Sequence, residues 1–187
     1  MSHRARNSAL WPTLGARSGR AEDAALNRPD PAQLLGTPSE TATAASGSIG
    51  TAPLTDGKVA RPEAEVAFDT YTLNVSATYD DLSIAQYVRV LETGGEQDYE
   101  QLEVLGRPAV LSSDHTMEIT IDLGSGGSSG SVEQGPLARS LSVALDGKDR
   151  GGCHDITVWS TSGIPPDDGV LVDIAEEVLP TVSGPAA

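Results

Sequence analysis

The run Cys153-His154-Asp155 sets a thiol, an imidazole and a carboxylate side by side, the three groups of a cysteine-nucleophile relay. In such a relay the imidazole takes the thiol proton and the acid orients the imidazole, so all three must converge. Consecutive residues of a strand point to opposite faces, and three in a row cannot converge. His115, from another turn, would have to complete the set. The residues therefore read as a quiet thiol at the start of a strand, and neither Cys153 nor His115 is assigned a role. Ser112, Ser113, Asp114 and His115 hold the side chains of a hydrolase triad, but no Gly-x-Ser-x-Gly elbow presents a serine beside an oxyanion hole. Ser113-Asp114-His115 reads instead as a hairpin tip.

Metal and phosphate chemistry fare no better. The three histidines are His3, His115 and His154, with no His-x-x-x-His or Cys-x-x-Cys spacing. Asp146, Asp149 and Asp155 flank Gly151-Gly152, yet they lack the alternating acids and distal glutamate of a calcium loop and read as turn residues. Gly124–Gly135 lacks a Walker lysine and the G-x-G-x-x-G spacing, and reads as a flexible hairpin loop. Asp80-Asp81 and Asp167-Asp168 precede apolar stripes of helical period, where carboxylates cap free N–H groups and meet the positive end of the helix dipole. The sequence thus assigns no catalytic, cofactor-binding or metal-binding residue and implies no cofactor.

Charge narrows the partners. The net charge is −15, while residues 1–21 carry Arg4, Arg6, Arg17 and Arg20 without an acid, which leaves −19 for the rest. Such a surface repels phosphate backbones and anionic lipid, so nucleic acid is excluded. No apolar run reaches the roughly 18–20 residues of a membrane span. A secretory leader is not expected either, because Ala9-Leu10-Trp11 stops at Pro12. With one cysteine, the fold has no internal disulfide.

These side chains must be positioned by elements that the periodicity outlines. Residues 1–21 read as a disordered basic leader, 22–62 as a short helical patch followed by a Gly/Ser/Ala/Pro-rich linker with a turn at Asp56-Gly57, 63–182 as one α+β domain, and 183–187 as a tail. From Glu63 the period is two. Val66 and Phe68 share one face and Tyr71, Leu73, Val75, Ala77 and Tyr79 another, so Asp69-Thr70 is a tight turn or a bulge. A helix is predicted over Leu82–Thr93, with Leu82, Ala85, Val88 and Leu91 inward and Ser83/Gln86 as a capping box. Four strands follow: Tyr99–Leu105 with Ala109–Ser112, then Thr116–Leu123, Leu137–Leu145 and Asp155–Thr161. A last helix buries Val170, Leu171, Ile174, Val178 and Leu179. The expected fold is an antiparallel sheet with packed helices, ordered strand(s)–helix–four strands–helix. At the level of fold this order resembles the PsbP-like sandwich.

Several motifs carry a family resemblance: Ala25-Leu26-Asn27-Arg28-Pro29-Asp30, Leu34-Leu35-Gly36-Thr37-Pro38, Ala77-Thr78-Tyr79-Asp80-Asp81-Leu82, Leu105-Gly106-Arg107-Pro108-Ala109-Val110-Leu111 with Ser113-Asp114, Ala138-Arg139-Ser140-Leu141, and Pro166-Asp167-Asp168 with Val178-Leu179-Pro180-Thr181-Val182. Over about residues 24–184 they are similar to a streptomycete (actinobacterial) family of small proteins of unknown function. The resemblance implies tethering at the cell envelope or export through an N-terminal apolar segment. Here residues 1–21 stand in that segment's place, so a cytoplasmic location stays open beside the envelope. The first functional expectation is a monomeric, non-enzymatic envelope accessory domain that binds a protein or cell-wall component through one sheet face. The second is a carrier of a small apolar or amphipathic ligand between sheet and helices. A hydrolase using His115 or Cys153 stands last.

Overall fold

The computed structural model describes residues 31–52, 59–94, 98–122, 129–160 and 162–182. Among the described residues seven strands form a single antiparallel sheet: β1 (Ala44–Ala52), β2 (Val59–Ala67), β3 (Tyr71–Thr78), β4 (Tyr99–Val104), β5 (Arg107–Asp122), β6 (Ser129–Ala144) and β7 (Cys153–Ser160). Their lateral order is β1-β2-β3-β7-β6-β5-β4. Two meanders, β1–β3 and β4–β7, meet where β3 pairs with β7. Helix α2 (Ile84–Gly94) makes the crossover from β3 to the far edge at β4, and it lies on one face. Helices α1 (Pro31–Leu34) and α3 (Asp168–Val178) pack on the other, followed by a 3-10 turn at Leu179–Thr181. The fold is α+β, an antiparallel sheet with packed helices.

Alternation drives this layering. Leu73 and Val75 of β3, Leu141 and Val143 of β6, and Ile156 and Val158 of β7 lie in register on one face. They are buried against Leu171, Ile174, Ala175 and Val178 of α3, together with Leu179. The predicted stripe of the last helix is thus the core stripe, with Val170 partly buried at its margin. Each fully buried aliphatic side chain of this kind contributes about 1.5–3 kcal/mol before entropy.

Differences from the sequence reading concern connections and register. The stretch read as linker holds β1 and the start of β2, and the core reaches back to Ala32 and Leu35. Small residues such as those of Ala44–Gly47 carry no alternation, so pairing with β2 rather than pattern makes this strand. The turn at Asp69-Thr70 is tight: the Phe68 N–H donates to the Tyr71 carbonyl at 2.8 Å. The β4–β5 turn is Leu105-Gly106, both at positive φ, the geometry that matches strand twist in a two-residue hairpin. Ser113-Asp114-His115 is not a hairpin tip but the middle of β5. There Gly135-Pro136 of β6 bulges opposite Thr116, and the register shifts between His115 and Met117. Residues 129–135, read as loop, belong to β6. Helix α2 turns inward through Ile84 and Val88, leaving Leu82 and Ala85, both expected inward, exposed. Asp56-Gly57, His3 and the leader lie outside the described residues. Among the described residues no helix is long and apolar enough to cross a membrane.

Candidate functional site

Strand β7 divides the suspected relay between the two faces of the sheet. Cys153 and Asp155 face α2, whereas His154 faces the α3 side, flanked in register by Ala77 and Val143. His115 is distant from both. It lies opposite Leu137 while Cys153 lies opposite Ala144, a separation of roughly 24 Å along β6. His115 is exposed, its Nδ1 3.0 Å from the Gly135 carbonyl oxygen. Ser112 and Ser113 are both buried but on opposite faces, so no triad assembles from that segment either.

The α2-side face is polar over most of its breadth. Two lateral rows run in register, Glu65–Asn74–Thr157–Ser140–Ser112 and Glu63–Ser76–Asp155–Ser142–Val110. Helix α2 covers the β5–β6 side, where Ile84 and Val88 meet Val110 and Ala144. Among the described residues no helix covers β2, β3 and most of β7 on this face. Thr72, Asn74, Thr157 and Trp159 are half-buried there. Ser142 donates to Asp155 Oδ1 at 2.6 Å, Ser140 and Thr157 share a hydrogen bond at 3.0 Å, and Arg61 reaches Ser76 at 3.4 Å. Trp159 closes one end of this floor between Thr72 and Ala138.

Where α2 meets the floor, the electrostatics suppress reactivity. Burial, then the negative charge of Asp155, pushes the Cys153 thiol well up, and the thiol donates to Asp155 at 3.5 Å. A protonated thiol is a poor nucleophile. Tyr87 is also raised, by burial first and by Asp155 next. On the opposite face burial, then the Arg107 guanidinium, lowers His154 to about 4, and its Nδ1 has no hydrogen-bond partner among the described residues. This imidazole is neutral near pH 7 and on the wrong side of the sheet to serve Cys153.

The remaining candidate acids have structural partners. Asp146 is held below the usual carboxylate range by Arg150, which it meets at 2.6 Å, and it also accepts the Lys148 N–H. Asp149, at φ +50, caps α2 from the β6–β7 loop, accepting the N–H groups of Ile84 at 2.7 Å and Ala85 at 3.0 Å. The Ser83/Gln86 capping box forms in both directions, at 3.2 and 2.9 Å. Asp80 accepts the Leu82 N–H at 3.0 Å. Asp167, by contrast, makes no side-chain cap, and Asp168 pairs with Arg139, which also reaches Asp98 at 3.3 Å. Asp146, Asp149 and Asp155 therefore do not converge, and among the described residues no group of three or more His, Cys, Asp or Glu could hold a metal ion. Sequence reasoning missed Asp149 and Arg139, whose partners lie 64 and 29 residues away and leave no local signal.

Residues 10–94 match the model of a family of unknown function, DUF6215. Among the elements of the fold the match takes in α1, β1–β3 and α2, so the Asn74 strand and the helix rimming the polar floor both fall within it. This agrees with the resemblance to an uncharacterised family. No curated protein and no solved structure matches the chain.

Proposed function

We propose that the chain is a non-enzymatic accessory domain of the cell envelope that binds a cell-wall component through the α2-side face of its sheet. The observation that carries this reading is the polar floor that, among the described residues, no helix covers over β2, β3 and most of β7. Its side chains are short donors and acceptors fixed on rigid strands, namely Thr72, Asn74, Ser140 and Thr157, with Trp159 at one end. Hydroxyl and amide groups in that density suit a polyhydroxylated polymer, whose own hydroxyls both donate and accept, while an indole offers a flat apolar body for its C–H surfaces. The separation of His115 from Cys153 and the raised thiol speak against hydrolysis. The filled space between sheet and α3 gives little support to a carrier role.

Co-sedimentation with purified insoluble peptidoglycan tests the reading. The intact chain should pellet, and Asn74→Arg and Trp159→Ala should each stay in solution while melting as the parent does. Variants that pellet fully would move the site elsewhere. A parent chain that never pellets would sink the cell-wall reading and leave a protein partner for the same face.

A further inference from the structure

The two edges of the sheet differ in a way that points to a second binding surface. Edge strand β4 carries Glu100 and Glu103, charges of the kind that discourage further strand pairing. Edge strand β1, Ala44–Ala52, has nine residues with no charge, no proline and no register break against β2. Among the described residues nothing pairs with its outer side. Its Ser46, Gly47 and Ser48 are exposed. An unbroken edge strand so lightly dressed is a template for another strand.

Charge selects what would pair there. Ser46 lies opposite Glu65 and Ser48 opposite Glu63, one strand inward and on the same face. Neither glutamate is in an ion pair among the described residues; Arg61, two residues from Glu63, is hydrogen-bonded to Ser76 instead. A strand added outside β1 would place its residues about 10 Å from those carboxylates, two strand spacings away. Only small side chains lie between, so a lysine or arginine could span the gap. A second copy of this chain would bring another net −15 to the same edge.

We propose that the outer edge of β1 takes up an extended basic peptide segment of a partner protein, with cationic residues at i and i+2 reaching over Ser46 and Ser48 to Glu65 and Glu63. Main-chain hydrogen bonds would hold the segment, and the two carboxylates would select its charge. This surface adjoins the polar floor, sharing Glu65 and Glu63 with the ends of its two rows, but it engages the sheet edge rather than Asn74, Thr157 and Trp159.

The test uses the full chain, observed by amide NMR. The probe is a blocked nonapeptide alternating valine with threonine, with two successive threonines replaced by lysine. A second peptide carries glutamates at those two positions. The lysine peptide should shift Ala44–Ala52 amides saturably, and the glutamate peptide should bind at least about tenfold more weakly, as expected when charge complementarity sets partner choice. The difference should vanish in Glu63→Gln/Glu65→Gln, and Ser46→Lys/Ser48→Lys should abolish binding of the lysine peptide without lowering the melting temperature. Equal binding of both peptides, no binding, or shifts centred away from β1 would overturn the proposal. So would a concentration-dependent dimer through this strand in sedimentation.

Discussion

On β7, neighbouring side chains meet opposite environments. His154, Ile156 and Val158 enter an apolar layer closed by α3, while Cys153, Asp155 and Thr157 belong to a hydrogen-bonded polar floor that α2 only partly covers. The apolar face is where a change in polarity costs most, because each side chain there has lost its water. The polar face keeps access to solvent and supplies donors and acceptors on rigid strands. Three adjacent residues resembling a catalytic relay are thereby divided into a core imidazole and a half-buried carboxylate–thiol pair on the α2 side. Adjacency along a strand separates chemistry as reliably as adjacency on a helix face assembles it.

Substitutions on the two faces should therefore differ sharply in cost. The largest effect is expected from Ile174→Asp, which places a carboxylate in the fully buried α3 stripe. A loss of more than about 4 kcal/mol, an unfolded or aggregating product, is anticipated. Circular dichroism and a thermal melt would show it, and a cooperative melt near the parent's would mean that α3 is peripheral.

The next effect is acid-dependent. His154 is neutral in the fold, with its pKa lowered to about 4, and returns to about 6.5 when unfolded. Between those values the unfolded chain binds the extra proton. Its contribution to stability is therefore complete above about pH 6.5 and is lost as pH falls toward 4. The whole step is worth about 3 kcal/mol. Denaturant titrations at several pH values should show this slope in the parent and a flatter profile in His154→Leu. An unchanged slope in the variant would assign the step to other groups.

Smaller changes test the α2 side. Asp149→Ala removes a cap shared by two N–H groups and leaves a non-glycine residue at positive φ, so about 1–2 kcal/mol is expected from equilibrium unfolding. Asp149→Asn, which keeps one acceptor and tolerates that backbone, should lose less. Cys153→Ser should change stability by under about 1 kcal/mol, since the hydroxyl can still donate to Asp155. A loss above about 2 kcal/mol would mark the thiol as a packing residue of the Ile84–Val88 cluster.

What the sequence made legible follows from the range of each signal. The α3 stripe, the alternation of Leu137–Leu145 and the Ser83/Gln86 box are local patterns, and each appears in the fold where it was expected. Strand β1 was hidden because small residues carry no period, and its pairing with β2 is the only thing that defines it. The β6 bulge was hidden because glycine beside proline reads as loop, although Gly135 packs too closely on Thr116 for any Cβ. The polar floor was hidden for a third reason. Its members come from β2, β3, β5, β6 and β7, and only the lateral register shows that Asn74, Thr157, Ser140 and Ser112 form one row.

On the proposed function, the α2-side face, rather than the α3-side core, meets the partner. An amide NMR titration of the full chain with soluble peptidoglycan fragments tests it most directly. Saturable shifts gathered on Thr72, Asn74, Thr157 and Trp159, with Leu141, Ile156 and α3 unmoved, are the predicted result. Saturable binding whose shifts gather on α3 and its exposed Asp173, Glu176 and Glu177, leaving the floor silent, would contradict it.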